Sequence, residues 1–497
     1  MEPLSTARCP LTRQRTEVSL LALHLDAAAP EPLHRQLYAG VRELVLTGRL
    51  GRGARLPSSR ALADELGVSR NTVLMALEQL ASEGYVEGRL GSGSFVPDEL
   101  PDVAPVRHRR AEARRSGPAL SVRGRALAGR GAISVRRQGL LAPGPDTSDF
   151  PFELWARLTA KHWRAPDAAL VAASDPRGHL ALRQAIAEYL RTVRAVHCDA
   201  EQVIVVSGAR QAVDLCARTL LDPGDGAAVE EPGFAGIRAV LAAAGARLVP
   251  VPVDAEGMRV PKSRDKLRLI CVAPSHQYPL GVTMSLGRRL DLLARARELG
   301  AWIVEDDYDS EFRYAGPPLA ALQGLDPDGR VVYIGSFSKI LFPSLRLGYL
   351  VAPPQAVEDF ARARSTLDDH PASAMQPVLA DFIAEGHFAQ HVRRMRKRYA
   401  ERQRVLLDAA ATELPGLLML SPDPAGMHLV GELAPSLAKR MDDVTASRRA
   451  AKAGHAVPPL SSCYLGVPRR QGLLIGYAAT PDDAIAPAVA TLAAALA

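Results

Sequence analysis

Lysine is absent from the first 140 residues of this 497-residue chain, aromatic residues are scarce, and no apolar run is long enough to span a bilayer. Phe, Tyr and Trp make up 5% of the sequence, whereas apolar residues make up 47% and charged residues 23%. Such a balance excludes a fibrous or disordered chain and fits soluble domains with sizeable cores. The five cysteines (Cys9, Cys198, Cys216, Cys271 and Cys463) are scattered, odd in number and without metal-ligand spacing. Cys198, Cys216 and Cys271 lie in apolar stretches and read as small core residues, which fits a reducing compartment. Met1-Glu2-Pro3 opens no basic-then-apolar signal pattern, and the weakly polar run 484–497 is too short to cross a membrane. The expectation is a cytoplasmic protein with no membrane association. The length exceeds one core and predicts two or three domains.

What charge there is lies unevenly. Residues 1–140 hold 21 Arg and 14 acids, a net of +7, and the rest holds 40 bases and 40 acids. The whole excess therefore falls in the first 140 residues, as a nucleic-acid-binding head requires. Most of it sits between 98 and 140, with ten Arg against four acids, where DNA contact and a solvated tether are equally open readings. Punctuation and composition divide the chain into four. Residues 1–30 are a polar N-terminal extension with one strand-like run, Leu20 to Leu25. Residues 31–97 are a compact helical unit closed by a Gly-rich hairpin. Residues 98–140 are an Arg-rich linker, and 141–497 alternate apolar strands with amphipathic helices, the pattern of an α/β domain with a largely parallel sheet.

In the second segment, helical periodicity runs from Leu33 through Val45 and stops at Gly48. Leu56-Pro57-Ser58-Ser59 sets a turn and cap for a helix from Arg60 to Leu66. After Gly67-Val68, Ser69 caps a third helix continuing through Val73, Leu77 and Leu80. The short turn and the exposed Arg70-Asn71-Thr72 start have helix-turn-helix geometry, which brings Arg and Asn to base edges in the major groove. Tyr85 to Arg89 and Gly91 to Val96 read as a hairpin, the wing, whose glycines allow close backbone approach to DNA. This assembled order, notably LPSSRALADELGVSRNTV and EGYVEGRLGSGSFV, closely resembles the GntR family from Pro32 to Val96. The resemblance implies double-stranded operator DNA as partner, contacted by Arg60, Ser69, Arg70, Asn71, Thr72 and Gly93. One departure is Ser59, where an acidic residue is common.

Four clusters mark the last segment. Gly335-Ser336-Phe337-Ser338-Lys339 follows the strand Val331 to Ile334, and Arg346 comes seven residues on. Imine chemistry needs a lysine in a sheltered site where it can lose its proton, and hydroxyls with a guanidinium suit a phosphate. The strand Ala301 to Val304 delivers Glu305-Asp306-Asp307-Tyr308 at its C-terminal end, where ligands of open α/β sheets bind. A carboxylate there can keep a pyridine nitrogen protonated. The strand Val203 to Val206 leads through Ser207-Gly208-Ala209-Arg210-Gln211 into a helix, an anion site of backbone amides. In Glu231-Pro232-Gly233-Phe234 an aromatic stands where it could stack on a ring. Each cluster alone also reads as a surface lysine, a solvated loop end, a plain strand-to-helix turn or core packing.

Taken in this order they resemble fold-type I aminotransferases dependent on pyridoxal phosphate, most closely the aminotransferase-like domain of MocR/GabR-type regulators. The resemblance runs from about Gly144 to the C-terminus and is carried by VEDDYDSEFRY, GSFSKILFPSLRLGY, APSHQYPLGVTMS and HVRRMRKRY. It implies that Lys339 forms the internal aldimine with pyridoxal 5'-phosphate, that Asp306 pairs with the pyridine nitrogen, that Tyr308 meets the ring hydroxyl and that Phe234 stacks on the ring. It further implies a phosphate cradle of Gly208, Ala209, Ser336, Ser338 and Arg346, with Arg210 and Tyr278 also in the cofactor site, and a head-to-tail homodimer. Two departures stand out. Relatives usually carry Gln where Arg210 adds a possible phosphate or acid contact. The aminotransferase arginine that grips the substrate carboxylate is replaced, in Gly472-Leu473-Leu474-Ile475-Gly476, by Leu473, with Arg469 and Arg470 nearby in a loop.

The leading expectation is a DNA-binding transcriptional regulator sensing either an amino compound or pyridoxal phosphate itself. The latter would place it among PdxR-like regulators of vitamin B6 synthesis, and Leu473 favours it. The rivals are a working aminotransferase with an appended head and a cofactor-free scaffold.

Overall fold

The computed structural model describes residues 23, 25–89, 92–100, 120, 121, 124, 125, 127, 128 and 139–497, apart from 167, 173, 263–265 and 317–318. Cys9, most of the strand-like run at Leu20 to Leu25 and most of the Arg-rich stretch 98–140 lie outside the described residues. The chain divides into two compact units between Ala119 and Leu120.

In the first unit, α1 (Leu33–Leu46), α2 (Ser59–Leu66) and α3 (Arg70–Ser82) close on a core that includes Leu37, Val41, Leu62, Val73, Leu77 and Leu80. The spacing of these apolar residues turns one stripe of each helix inward. Ser58 caps α2 by accepting the Ala61 amide, and Gly67 ends it in the left-handed region at φ 65°. Ser69 then caps α3, accepting the Thr72 amide at 3.1 Å. Caps of this kind contribute about 1 kcal/mol each, and here they fix the angle of the turn. β1 (Glu87–Arg89) and β2 (Gly93–Phe95) pair antiparallel, forming the expected hairpin.

The second unit is built on eight strands. In chain order they are β3 (Val203–Val206), β4 (Gly226–Glu231), β5 (Arg247–Asp254), β6 (Gly257–Met258), β7 (Leu267–Val272), β8 (Trp302–Asp307), β9 (Val331–Ser336) and β10 (Gly348–Val351). They lie side by side in the order β3-β10-β9-β8-β7-β4-β5-β6. From β9 to β5 the pairing is parallel, while β10 runs antiparallel to both β3 and β9. Both faces are covered, so the central strands read as unbroken apolar runs. Along β3, Ile204 and Val206 face one core with Val213 and Cys216 of α4 (Ala209–Leu220), while Val203 and Val205 face another with Met395 and Tyr399. Cys198, Cys216 and Cys271 are buried free thiols, as their apolar surroundings predict.

The helix α5 (His387–Glu413) leads from the sheet to a smaller three-stranded antiparallel sheet of β11 (Leu418–Met419), β12 (His428–Leu433) and β13 (Gly472–Gly476). Strands β3, β4, β8 and β9 run the same way and end on one side, where the four sequence clusters come together. No helix of the described residues is long and apolar enough to cross a membrane.

Candidate cofactor site and nucleic-acid interface

The acidic cluster is where sequence and structure differ first. The strand continues past Val304 to Asp307, so Glu305, Asp306 and Asp307 belong to β8 and all three are buried. Burying three carboxylates is costly unless each finds partners. Glu305 accepts the Leu322 and Gln323 amides at 2.9 Å each. Asp307 pairs with the Arg194 guanidinium at 2.8 Å and accepts the Tyr333 and Ser310 hydroxyls. Asp306 differs, because its Oδ1 is buried with no hydrogen-bond partner. Burial first, then the neighbouring Asp307 and Asp309, push its carboxyl up to about 7, and Lys339 opposes the rise. Of the three acids, then, two are structural and one awaits a donor.

Around Asp306 stand the residues expected at a ring. Phe234 packs edge-on against Tyr278, their centroids 5.6 Å apart, and Tyr278 meets Tyr308 at 6.1 Å, again edge-on. Phe234, Tyr278 and Asp306 line one pocket with Glu230 and Arg238. The Arg210 guanidinium lies over the Phe234 ring at 5.6 Å, so its nearest assigned role is holding that ring. The Tyr308 hydroxyl is 3.0 Å from His276 Nδ1.

The anion cradle assembles at the start of α4. Gly208 caps the helix at φ 123°, a conformation that favours glycine, and Ala209 is the first helical residue. A Cβ on Gly208 would lie 3.8 Å from Arg346 Nη1, which puts the guanidinium beside the helix N-terminus. Arg346 itself adopts the left-handed region at φ 51°. Ser336 is buried at the end of β9, and Ser338 Oγ is buried without a partner. Free helix amides, a guanidinium and an unspent hydroxyl fit a phosphate group.

One expectation needs correction. Lys339 is not sheltered within this single chain; its side chain is exposed. It stands on the turn after β9, and its charge still reaches both Asp306 and His428. Leu473 is fully buried in the apolar core, and Arg470 is engaged with Glu432.

Sequence reasoning missed His276, Asp309, Asp423 and His428. His276 lies inside the quoted APSHQYPLGVTMS motif, but its partners come from loops far apart in the chain, which no spacing rule reveals. Burial works against the His276 charge, but the carboxylates of Asp309 and Asp423 outweigh it and raise the imidazole to about 10. Burial also raises Glu230 to about 8 and Glu305 to about 7. In the folded state they hold protons that the unfolded chain gives up above about pH 4.5 for the two glutamates and above about pH 6.5 for the histidine. Stability of the cofactor-free protein should therefore fall as pH rises from about 6.5 to about 8.5, by about 1.4 kcal/mol per pH unit for each proton retained. Calorimetry should show a falling melting temperature; a flat or rising one contradicts these protonation states.

In the first unit, Arg60, Ser69, Arg70, Asn71 and Gly93 are exposed, and Thr72 is half-buried. Ser69 and Thr72 are occupied with each other, hydroxyl to hydroxyl at 2.8 Å as well as through the cap. Arg70 Nε donates to Ser59 Oγ at 3.3 Å, which braces the side chain across the turn and explains how Ser replaces the common acid. Gly93 takes φ 100° at the wing, with Arg55 beneath it and the Arg89 guanidinium over Phe95 at 4.7 Å. Arg55 and Arg89 are cations of this surface that the motif reading passed over.

Fold and site define a class: a winged helix-turn-helix joined to a fold-type I aminotransferase-like domain. Residues 150–492 match the model of aminotransferase class I and II, and residues 33–96 that of bacterial regulatory proteins of the gntR family. The chain is 44% identical to the probable rhizopine catabolism regulatory protein MocR of Rhizobium meliloti, over 92% of each. It is 33% identical to the pyridoxine biosynthesis transcriptional regulator PdxR of Corynebacterium glutamicum, over 94% of this chain and 96% of that one. Among solved structures, LysN, the α-aminoadipate aminotransferase of Thermus thermophilus complexed with N-(5'-phosphopyridoxyl)-L-leucine, aligns at TM-score 0.67 and 28% identity, over 74% of this chain and 96% of that one. The chain belongs to the MocR-type transcriptional regulators, with a GntR-family DNA-binding head and an aminotransferase class I and II domain.

Proposed function

We propose that the second unit holds pyridoxal phosphate on Lys339 and serves as the sensor for a head that binds an operator near its own gene. The observation that carries this reading is the buried, unpartnered Oδ1 of Asp306, which fits a pyridine N–H. A protonated ring nitrogen there would turn the cost of burying Asp306 into an ion pair and lower its carboxyl from about 7. Tyr308 would hold the ring hydroxyl, with Phe234 against the ring and Tyr278 beside it. Gly208, Ala209, Ser336, Ser338 and Arg346 would hold the phosphate. When bound, pyridoxal phosphate supplies an aldehyde that condenses with amines and a ring that withdraws electrons. Exposure of Lys339 in one chain is consistent with a head-to-tail homodimer whose second copy covers that mouth.

Changing Asp306 to Asn keeps the shape and removes the charge. A hydrogen bond to a charged group contributes about 1.5–3 kcal/mol, so cofactor affinity should fall about ten- to a hundredfold, read by titrating the absorbance band. Unchanged affinity would remove Asp306 from the site.

A second reading, a working aminotransferase, is favoured by the intact set of Lys339, Asp306 and Tyr308. Leu473 weighs against it, since an α-amino acid then lacks its bidentate anchor, and it favours pyridoxal phosphate over an amino compound as the effector. Incubation with amino acids and an oxo-acid acceptor separates the readings: the regulator should give at most one equivalent of pyridoxamine phosphate per chain, and sustained turnover would establish the enzyme.

A further inference from the structure

Two carboxylates, the buried Asp309 and the half-buried Asp423, converge on one buried imidazole beside the cofactor pocket. His276 Nδ1 is 3.0 Å from both oxygens of Asp309, and Nε2 is 3.2 Å from Asp423 Oδ2. His276 is 3% exposed and Asp309 1%. Asp309 follows β8, whereas Asp423 belongs to the 420–427 loop that joins β11 to β12 in the smaller sheet. The loop sits directly on the ring. A Cβ on Gly426 would lie 2.4 Å from His276 Cε1, and one on Gly281 would lie 1.8 Å from Asp423 Oδ2; both glycines also take positive φ, so a side chain at either would be strained and would displace the ring or the carboxylate. Asp423 Oδ1 accepts the Ala425 amide, and the Asp423 amide donates to Gln403 of α5. His428, which opens β12, lies 6.5 Å from His276 ring to ring and contacts the Pro279 carbonyl through Nε2.

We infer that His276 is a positioning residue that ties the Tyr308 phenol to the 420–427 loop, so that occupation of the pocket is transmitted to the smaller sheet. The inference rests on the reading of that pocket as a pyridoxal phosphate site. Facing each other across one buried ring, the two carboxylates favour a cation between them, and an imidazolium has one N–H for each. Its Nδ1–H has two acceptors, Asp309 and the Tyr308 oxygen at 3.0 Å. When the phenol turns to a ring hydroxyl, Asp309 keeps that proton alone and the Asp309–His276–Asp423 bridge tightens. Tightening holds the loop, and with it β12, against the end of β8. The same linkage runs backwards, since a coupling between two sites is reciprocal.

Amide exchange of residues 420–427 tests this in the full-length protein, with and without added pyridoxal phosphate. Loading should slow exchange of the loop about tenfold in the native protein, within the range usual for coupled sites. Asp423→Asn should lose that slowing while still forming the cofactor absorbance band, and His276→Gln should in addition shift the pH dependence of the band, because the phenol loses its partner. Slowing that survives in Asp423→Asn overturns the inference. If the native protein forms no band at all, the cofactor reading fails separately. The bridge is then judged in the protein alone, where Asp423→Asn must speed exchange of the loop about tenfold. Unchanged exchange there overturns it.

Discussion

Lys339→Ala should abolish the absorbance band that pyridoxal phosphate gives with the native protein, while leaving the fold and operator binding intact. Attachment needs an amine, and Lys339 is the lysine that the structure places on the turn after β9, close enough to Asp306 to counter the rise of its carboxyl. Its exposure means that alanine opens no cavity in a core, so the cofactor-free protein should keep its fold. The phosphate cradle and Asp306 remain, so the variant should still bind the cofactor weakly and reversibly, as a free aldehyde that dialysis removes. Absorbance after dialysis reads the difference. A band that survives in Lys339→Ala would place the attachment elsewhere and would undo the assignment of the whole pocket.

The second large effect belongs to the head. Arg70→Ala or Asn71→Ala should strongly weaken specific operator binding and leave the cofactor band untouched. Both side chains are exposed at the N-terminus of α3, and Arg70 is braced by Ser59 Oγ at 3.3 Å. A bidentate contact to a base contributes about 1–3 kcal/mol of discrimination, so each variant should weaken the specific complex about five- to 150-fold while leaving nonspecific binding near its native value. Ser69 and Thr72 should behave otherwise. Their hydroxyls are spent on the cap and on each other, so their replacement should lower the melting temperature of the head together with affinity. Loss of the cofactor band in Arg70→Ala would mean that the two units do not act separably.

Much of this was legible in the sequence because the signals are local. Ser58, Gly67 and Ser69 set the helix boundaries of the head through caps and a left-handed turn, all within a few residues of one another. The run Val203 to Val206 followed by Gly208 shows a buried strand entering a helix, and the structure places it so. The triad Glu305-Asp306-Asp307 shows where such reading stops. Which of the three acids is unspent depends on amides of Leu322 and Gln323 and on a guanidinium at Arg194, all distant in sequence. His276 was passed over for the same reason: its meaning comes from Asp309 and Asp423, 33 and 147 residues away. The exposure of Lys339 in one chain is likewise invisible to pattern, because a motif names a residue and says nothing about what covers it.

Leu473 joins the two halves of the account. On the proposed reading, a leucine at the clamp position leaves the pocket its means of holding a cofactor and takes away its means of anchoring an α-amino acid. A domain of that kind is suited to report on the cofactor, and a ligand can shift a conformational equilibrium only through a difference in affinity for its two states.

The most direct measurement is fluorescence anisotropy of the full-length protein on DNA from upstream of its own gene, with and without pyridoxal phosphate, beside Lys339→Ala. The account predicts specific binding that shifts with the cofactor in the native protein and does not shift in the variant. Specific binding that shifts equally in both would contradict a sensor built on Lys339.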